Sequence, residues 1–237
     1  MRDLTVSYAG GAPALHGVTL HLPSPAVHAV IGSPGAGKTT LLRTIAGHLQ
    51  PTAGAIYLDG RPVTGWPSDA AARAGVALAP QRHRLTQSLT VAEHLASIRP
   101  QRGRAWTVED VLELFPPLTA RMSHRAAQLS NGEQQMLTTA CALRTAPRLL
   151  LADEPIEGLA PTAADQIITV LRDLPARGVT VLAALPHAGV AAKIADTLHV
   201  LAAGQLLGYT RAATASHALC RRLTLTEPGD GYAEREQ

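Results

Sequence analysis

Short apolar segments alternate with segments of helical periodicity along most of this chain. The apolar segments have the length of β-strands and are bounded by turn residues. This alternation predicts an α/β fold. The predicted strands are residues 4–8, 18–22, 27–32, 55–60, 76–80, 148–153, 179–185 and 197–208, the last of them as a hairpin.

The strand pattern stops over about residues 82–145, and helical patterns replace it. Thr90 begins one of them at a capping position. Thr107 begins another, with Asp110 three residues further on in a variant of the capping box. Pro116, the first of two adjacent prolines, ends that helix. A helical insert in an otherwise α/β chain predicts a second, helical subdomain.

Length and composition fit a single globular domain. The 237 residues can bury a core large enough to need neither disulfides nor structural metal. Cys141 and Cys220 match no metal-ligand or redox spacing, which fits a reducing compartment. We predict one domain over residues 1–225. Residues 226–237 are polar and contain glycine and proline, so we expect a flexible tail there.

Charge and hydropathy exclude two classes of protein. No run of about 18 apolar residues is present, so no membrane-spanning segment is expected. The net charge is +3, with scattered basic residues and few aromatic ones, which is not the pattern of a nucleic-acid surface. Of the 21 basic residues, only Lys38 and Lys193 are lysine. Lys38 lies in the most informative motif of the chain.

That motif is "GSPGAGKT", which follows a predicted strand and opens a predicted helix. It fits the phosphate-loop pattern G-x-x-x-x-G-K-[ST], in which backbone N–H groups and a helix N-terminus surround phosphate. Lys38 is expected to reach the β- and γ-phosphates, and Thr39 to offer its hydroxyl to Mg²⁺. The predicted ATP-binding residues of this loop are Gly32, Ser33, Pro34, Gly35, Ala36, Gly37, Lys38, Thr39 and Thr40.

The strand "RLLLAD" supplies acidic partners for this loop. Asp153 falls at the carboxyl end of the strand, where it can hold the hydration shell of Mg²⁺. Glu154 follows, and we expect it to orient the attacking water as a general base. The remaining histidines have no metal-ligand spacing, so no metal other than Mg²⁺ is predicted.

A second potential phosphate-binding turn is "LSNGEQQ", which opens a helix running to about Arg144. It combines the Ser130 hydroxyl, the Gly132 backbone and a helix N-terminus. Within one chain, the helical subdomain would have to fold back to bring this turn to the same nucleotide. The simpler geometry places it over the γ-phosphate bound by a second copy, so that ATP joins a dimer.

The ordered set "GSPGAGKT", Gln81 after a strand, "LSNGEQQ" and "LLLADEP" resembles the ATPase subunits of ABC transporters and spans most of the chain. The resemblance implies a P-loop NTPase cassette with a RecA-like core, an antiparallel β subdomain and a helical subdomain. It also implies a head-to-tail ATP sandwich. Within the family, "LSNGEQQML", "LFPPL" and "DEP…GLAP" look like the subunits of branched-chain amino-acid importers.

The resemblance further implies the partners and several site residues. Transmembrane permease subunits and a second ABC ATPase subunit, identical or related, would hold the chain at the cytoplasmic face of the plasma membrane. Tyr8 would stack on adenine, and Gln81 would contact Mg²⁺ and relay nucleotide state to the permease. The signature turn that meets the partner's ATP would consist of Ser130, Asn131, Gly132 and Glu133.

The sequence departs from the family pattern at four positions. Pro34 replaces the usual asparagine of the phosphate loop and removes an N–H donor. Asn131 replaces a glycine of the signature turn, and Ala160 replaces an aspartate. Pro186 occupies the position of the histidine that contacts the γ-phosphate. Either His187 recovers that role through a local backbone shift, or this site hydrolyses ATP slowly and a partner cassette does more of the work.

Three functions remain open on the sequence alone. The leading prediction is an ATP-hydrolysing subunit that energises an importer of branched-chain or related amino acids. The second is a regulatory, weakly hydrolysing subunit paired with a more active cassette. The third, an ABC ATPase of DNA maintenance, would need a long heptad coiled coil, and the segment between the phosphate loop and the signature turn has none.

Overall fold

The computed structural model describes residues 1–8, 11–23, 25–81, 85–100 and 106–211. The predicted tail lies outside these residues, as does the end of the predicted domain, so both remain predictions. None of the described helices is long and apolar enough to cross a membrane.

Eleven strands and seven α-helices make up the described chain. The strands are β1 (Arg2–Ser7), β2 (Pro13–Val18), β3 (Val27–Ile31), β4 (Ala53–Ala55), β5 (Tyr57–Leu58), β6 (Arg61–Pro62), β7 (Val76–Ala79), β8 (Leu149–Asp153), β9 (Thr180–Leu185), β10 (Thr197–Ala202) and β11 (Gln205–Arg211). The helices are α1 (Lys38–Ile45), α2 (Ser68–Arg73), α3 (Val91–Ser97), α4 (Val108–Leu114), α5 (Asn131–Arg144), α6 (Pro161–Asp173) and α7 (Ala188–Ala191). Short 3-10 helices cover Pro116–Arg121, Ala126–Gln128 and Pro175–Arg177.

A six-stranded sheet in the order β11-β10-β3-β9-β8-β7 forms the centre of the fold. All neighbours from β10 to β7 are parallel, and β11 adds an antiparallel edge through the predicted hairpin. Every residue of β8 and β9 is buried, as expected for parallel strands with both faces covered. The carboxyl ends of these parallel strands meet at one edge, which is where α/β folds bind ligands.

The two faces of this sheet carry separate cores. Leu150 and Ala152 of β8 pack in a cluster with α3 to α6, whereas Leu149 and Leu151 pack in a cluster with α1 and β1. Successive residues of β8 therefore face opposite sides, as the period of a strand requires.

A smaller antiparallel sheet in the order β2-β1-β4 packs over the α1 face. Two strand predictions in this region are wrong. The strand predicted over 18–22 lies instead at Pro13–Val18, where Gly17 has a φ of 59° and the pairing with β1 shifts register. This irregularity interrupts the period-2 pattern on which the prediction depended. The strand predicted over 55–60 is divided between β4 and β5.

The helical insert forms as predicted. Thr90 and Thr107 each cap a helix, with capping boxes completed by Glu93 and Asp110. Helix α4 ends at Leu114, before the two prolines, and a 3-10 helix follows. Helix α5 is the long helix predicted after the "LSNGEQQ" turn. The boundaries of this region as a separate subdomain remain a prediction.

Candidate active site

The phosphate loop connects β3 to α1 and closes around its own lysine. Lys38 is 5% exposed, and its Nζ donates to the carbonyl oxygens of Gly32 (2.7 Å) and Ser33 (3.3 Å). Gly37, which precedes α1, has a φ of 105°, and a Cβ there would lie 2.9 Å from the carbonyl oxygen of Ala14. Only glycine fits this left-handed and crowded position, so the shape of the loop depends on the residue at position 37.

Strand period brings the first acidic residue to the loop. Asp153 shares the face of β8 that carries Leu149 and Leu151, which is the face covered by α1. The Thr39 hydroxyl donates to its Oδ1 at 3.0 Å. Burial raises the pKa of Asp153, although the Thr39 hydrogen bond and nearby Arg43 act in the opposite direction.

Glu154 continues the site at the end of the same strand. It is a non-glycine residue at a φ of 48°, a backbone conformation that concentrates at functional sites. Its Oε1 lies 3.4 Å from Lys38 Nζ in a nearly buried ion pair, and its backbone N–H donates to Ala184 of β9. Burial, followed by the hydrogen bond and charge of Glu157, raises the pKa of Glu154.

Gln81 follows β7, the strand next to β8, and contacts the side chains of Glu154 and Glu157. Its Nε2 donates to Glu154 Oε2 at 2.7 Å and to Glu157 Oε2 at 2.5 Å. Both amide protons are therefore directed at carboxylates, which leaves the amide oxygen as the remaining ligand atom. Glu157 was not among the site residues predicted from the sequence. The only available signal was an acidic residue three positions after Glu154.

Two further predicted site residues are Tyr8, which lies beside the start of α1, and His187, which follows a central strand. Tyr8 is 47% exposed, and its hydroxyl lies 3.0 Å from that of Thr40 in α1. His187 follows β9, which lies between β3 and β8. Its Nδ1 accepts the Val190 N–H at 3.4 Å, at the start of α7.

The signature turn forms a second cluster at the N-terminus of α5. Ser130 caps the helix, and its Oγ accepts the Glu133 N–H at 3.2 Å. Glu133 Oε2 accepts the Ser130 N–H at 2.8 Å, which completes a capping box. A Cβ on Gly132 would lie 2.5 Å from the Cβ of Ala163 in α6, so the absence of a side chain allows the two helices to approach. Asn131 is the exposed first residue of α5.

A nearby arginine, which the sequence analysis did not single out, is bound to this turn. Arg121 Nε donates to Glu133 Oε1 at 2.8 Å. The two residues are separated by a 3-10 turn and a loop, so no helical or strand spacing relates them in sequence.

The residues of the first cluster fit a nucleotide and its metal. The loop offers backbone N–H groups and a buried ammonium for phosphate, and Thr39 and Asp153 form a compact oxygen pair of the kind that Mg²⁺ uses together with phosphate oxygens. These features define the class of site, a nucleotide site of the P-loop type.

Comparison with known proteins identifies the family. The family model described as ABC transporter matches residues 15–157. The high-affinity branched-chain amino acid transport ATP-binding protein BraG of Pseudomonas aeruginosa is 39% identical, over 86% of this chain and 89% of BraG. The methionine import ATP-binding protein MetN of Thermobifida fusca is 35% identical, over 92% of this chain and 72% of MetN.

A solved structure agrees with both relatives. The crystal structure of a nucleotide-free ATP-binding cassette from an ABC transporter has a TM-score of 0.77 and 27% identity, over 89% of this chain and 92% of that chain. This chain therefore belongs to the ABC transporter family, and it is an ATP-binding, ATP-hydrolysing cassette of a transporter. The predicted fold class and enzyme class are confirmed.

Proposed function

We propose that this chain hydrolyses ATP to drive the import of branched-chain or related amino acids through a membrane permease. The supporting observation is the connected set of Lys38, Glu154 and Gln81, beside the Thr39–Asp153 pair, at the carboxyl ends of neighbouring parallel strands. Each side chain of this set lies within hydrogen-bonding distance of another member of the set.

In this proposal, the nucleotide reorganises that set. Lys38 turns from the loop carbonyls and from Glu154 to the β- and γ-phosphates, for which it is the only nearby ammonium that the phosphate-loop motif provides. Glu154, released from the ion pair, orients the attacking water and accepts its proton, a role that a raised pKa favours. Thr39, Asp153 and the Gln81 oxygen would hold Mg²⁺, which neutralises developing phosphate charge.

His187 is proposed to supply the donor that Pro186 cannot. Because its Nδ1 accepts the Val190 N–H, the proton of the neutral ring lies on Nε2, which can then donate to phosphate. The place of His187 in the fold supports this role: it follows β9, and β9 lies between β3, which leads into the phosphate loop, and β8, which leads to Glu154. This arrangement favours an active site over the weakly hydrolysing alternative.

We further propose that the signature turn binds the γ-phosphate held by a second cassette, in the simplest assembly another copy of this chain. The Ser130 oxygen accepts the Glu133 N–H, which leaves its own O–H proton able to donate to phosphate. The α5 dipole adds a favourable field for an anion at the same point.

The cargo assignment is supported by BraG and by the "GLAP" segment, while MetN represents the competing assignment. Uptake of labelled leucine and labelled methionine should be compared in cells of the source organism that produce either the native chain or the Lys38→Ala variant. We expect leucine uptake to fall to background and methionine uptake to be retained. Loss of methionine uptake alone would contradict the assignment, and Lys193→Ala is the matched lysine control.

A further inference from the structure

The signature turn contains a feature that opposes its proposed role. Glu133 places a carboxylate in the first turn of α5, at the helix end where a partner's γ-phosphate is proposed to bind. Two like charges at close range repel each other, and the repulsion is larger where solvent is partly excluded. Glu133 is only 16% exposed, so water alone does not screen it fully.

The structure contains a solution to this conflict. Both carboxylate oxygens of Glu133 have donors: Oε2 accepts the Ser130 N–H, and Oε1 accepts Arg121 Nε. Burial disfavours the ionised carboxylate, but the hydrogen bonds of Arg121 and Ser130 outweigh it and lower the pKa of Glu133. The carboxylate is therefore ionised and turned back into the cap, with a guanidinium against it.

The position of Arg121 is fixed by the core rather than by the turn itself. It ends the 3-10 helix that starts at Pro116, and Leu118 of that helix is fully buried in the helical core. The Leu118 N–H also donates to the Phe115 carbonyl oxygen. Leu118 of the "LFPPL" segment thus attaches to the core a 3-10 helix whose last residue, Arg121, contacts α5.

We propose that Arg121 is a positioning residue for the partner's nucleotide: it neutralises Glu133 and holds that carboxylate away from the γ-phosphate. This role rests on the proposed ATP sandwich, in which the α5 N-terminus faces a second cassette. Arg121 does not contact the phosphate in this account. It acts through Glu133, so its importance depends on the charge at position 133.

The test measures ATP-dependent dimerisation rather than turnover. Glu154→Gln protein, which retains nucleotide, is titrated with ATP in the presence of Mg²⁺, and the dimer fraction is followed by analytical ultracentrifugation. Arg121→Gln in this background should raise the ATP concentration for half-maximal dimer about tenfold, the size of one partly screened charge–charge interaction. At about 1 M salt, where the screening length is about 3 Å, this deficit should shrink.

A double-mutant cycle separates charge neutralisation from simple structural support. When Glu133→Gln is also present, Arg121→Gln should change the ATP requirement less than twofold, because the carboxylate is gone. Arg121→Lys, which keeps the charge, should recover part of the loss. Arg125→Gln removes the charge of an exposed arginine four residues further along the chain and should leave the requirement unchanged.

The outcomes distinguish this inference from the function on which it rests. If the Glu154→Gln protein stays monomeric in saturating ATP and Mg²⁺, the sandwich itself is contradicted. If it dimerises and Arg121→Gln has no effect, or has an equal effect with and without Glu133→Gln, the role of Arg121 is overturned. Urea unfolding of each variant shows that the compared proteins are folded.

Discussion

We expect the folding stability of this protein to fall in mild acid because of His199. The side chain lies in β10 and is 3% exposed, and neither ring nitrogen has a hydrogen-bond partner among the described residues. The ring of His28 lies 5.7 Å away and that of Tyr209 lies 5.9 Å away, measured between centroids. Burial, followed by the charge of His28, lowers the pKa of His199 to about 4 from its ordinary value of 6.5.

The sign of the effect follows from this shift. The folded state holds His199 neutral down to a pH of about 4, whereas the unfolded chain protonates it near pH 6.5. Stability from this group is therefore fully present above about pH 6.5, and it is lost progressively as the pH falls toward 4. The full loss expected is about 3.5 kcal/mol, from about 1.4 kcal/mol for each of about 2.5 pKa units, and about 2 kcal/mol of it is reached at pH 5.

Urea unfolding at pH 7.5 and pH 5 measures this loss directly. The native chain should lose about 2 kcal/mol or more between the two values, since burial also lowers the pKa of His28. His199→Phe removes the titrating ring, keeps an aromatic side chain of similar shape, and should lose markedly less. His187→Phe, at an exposed position, is the matched control, and its loss of stability between the two pH values should equal that of the native chain.

Two results would refute this reasoning. One is a native protein whose free energy of unfolding is the same at both pH values. The other is a His199→Phe variant that loses as much stability as the native chain, which would assign the acid sensitivity to other groups.

Two further predictions concern the site. His187→Ala should slow single-turnover ATP hydrolysis by about 10²–10³, the cost of one positioned donor, with nucleotide affinity nearly unchanged, and an unchanged rate would exclude the proposed role. Gly132→Ala should destabilise the fold by about 1–3 kcal/mol in urea unfolding, because its Cβ would meet Ala163 at 2.5 Å. Ala163→Gly should offset part of that loss in the double variant, and purely additive losses would contradict a direct contact.

The sequence predicted those parts of the molecule that local spacing determines. The phosphate loop, the Thr90 and Thr107 caps and the mostly apolar central strands are each defined by residues close together in the chain, and the structure has them as expected. Asp153 could be placed at a strand end for the same reason. Such features need no knowledge of how distant segments pack.

Features that depend on tertiary packing were not predictable in the same way. The strand predicted over 18–22 lies instead at Pro13–Val18, beside the bulge at Gly17. Pairing with β1, rather than local propensity, decides where that strand lies. The contact between Gln81 and Glu157 requires that two adjacent strands end at the same edge. The ion pair between Arg121 and Glu133 depends on a 3-10 turn that buried Leu118 holds against the core, and no sequence period connects its two members.

The most direct test of the account is the association state of the purified Glu154→Gln protein, measured by analytical ultracentrifugation with and without ATP and Mg²⁺. We expect a monomer without nucleotide and a dimer at saturating ATP, and Lys38→Ala in the same background should abolish the dimer. A protein that stays monomeric at saturating ATP would contradict the proposal that one nucleotide is shared between the phosphate loop of one chain and the Ser130 turn of another.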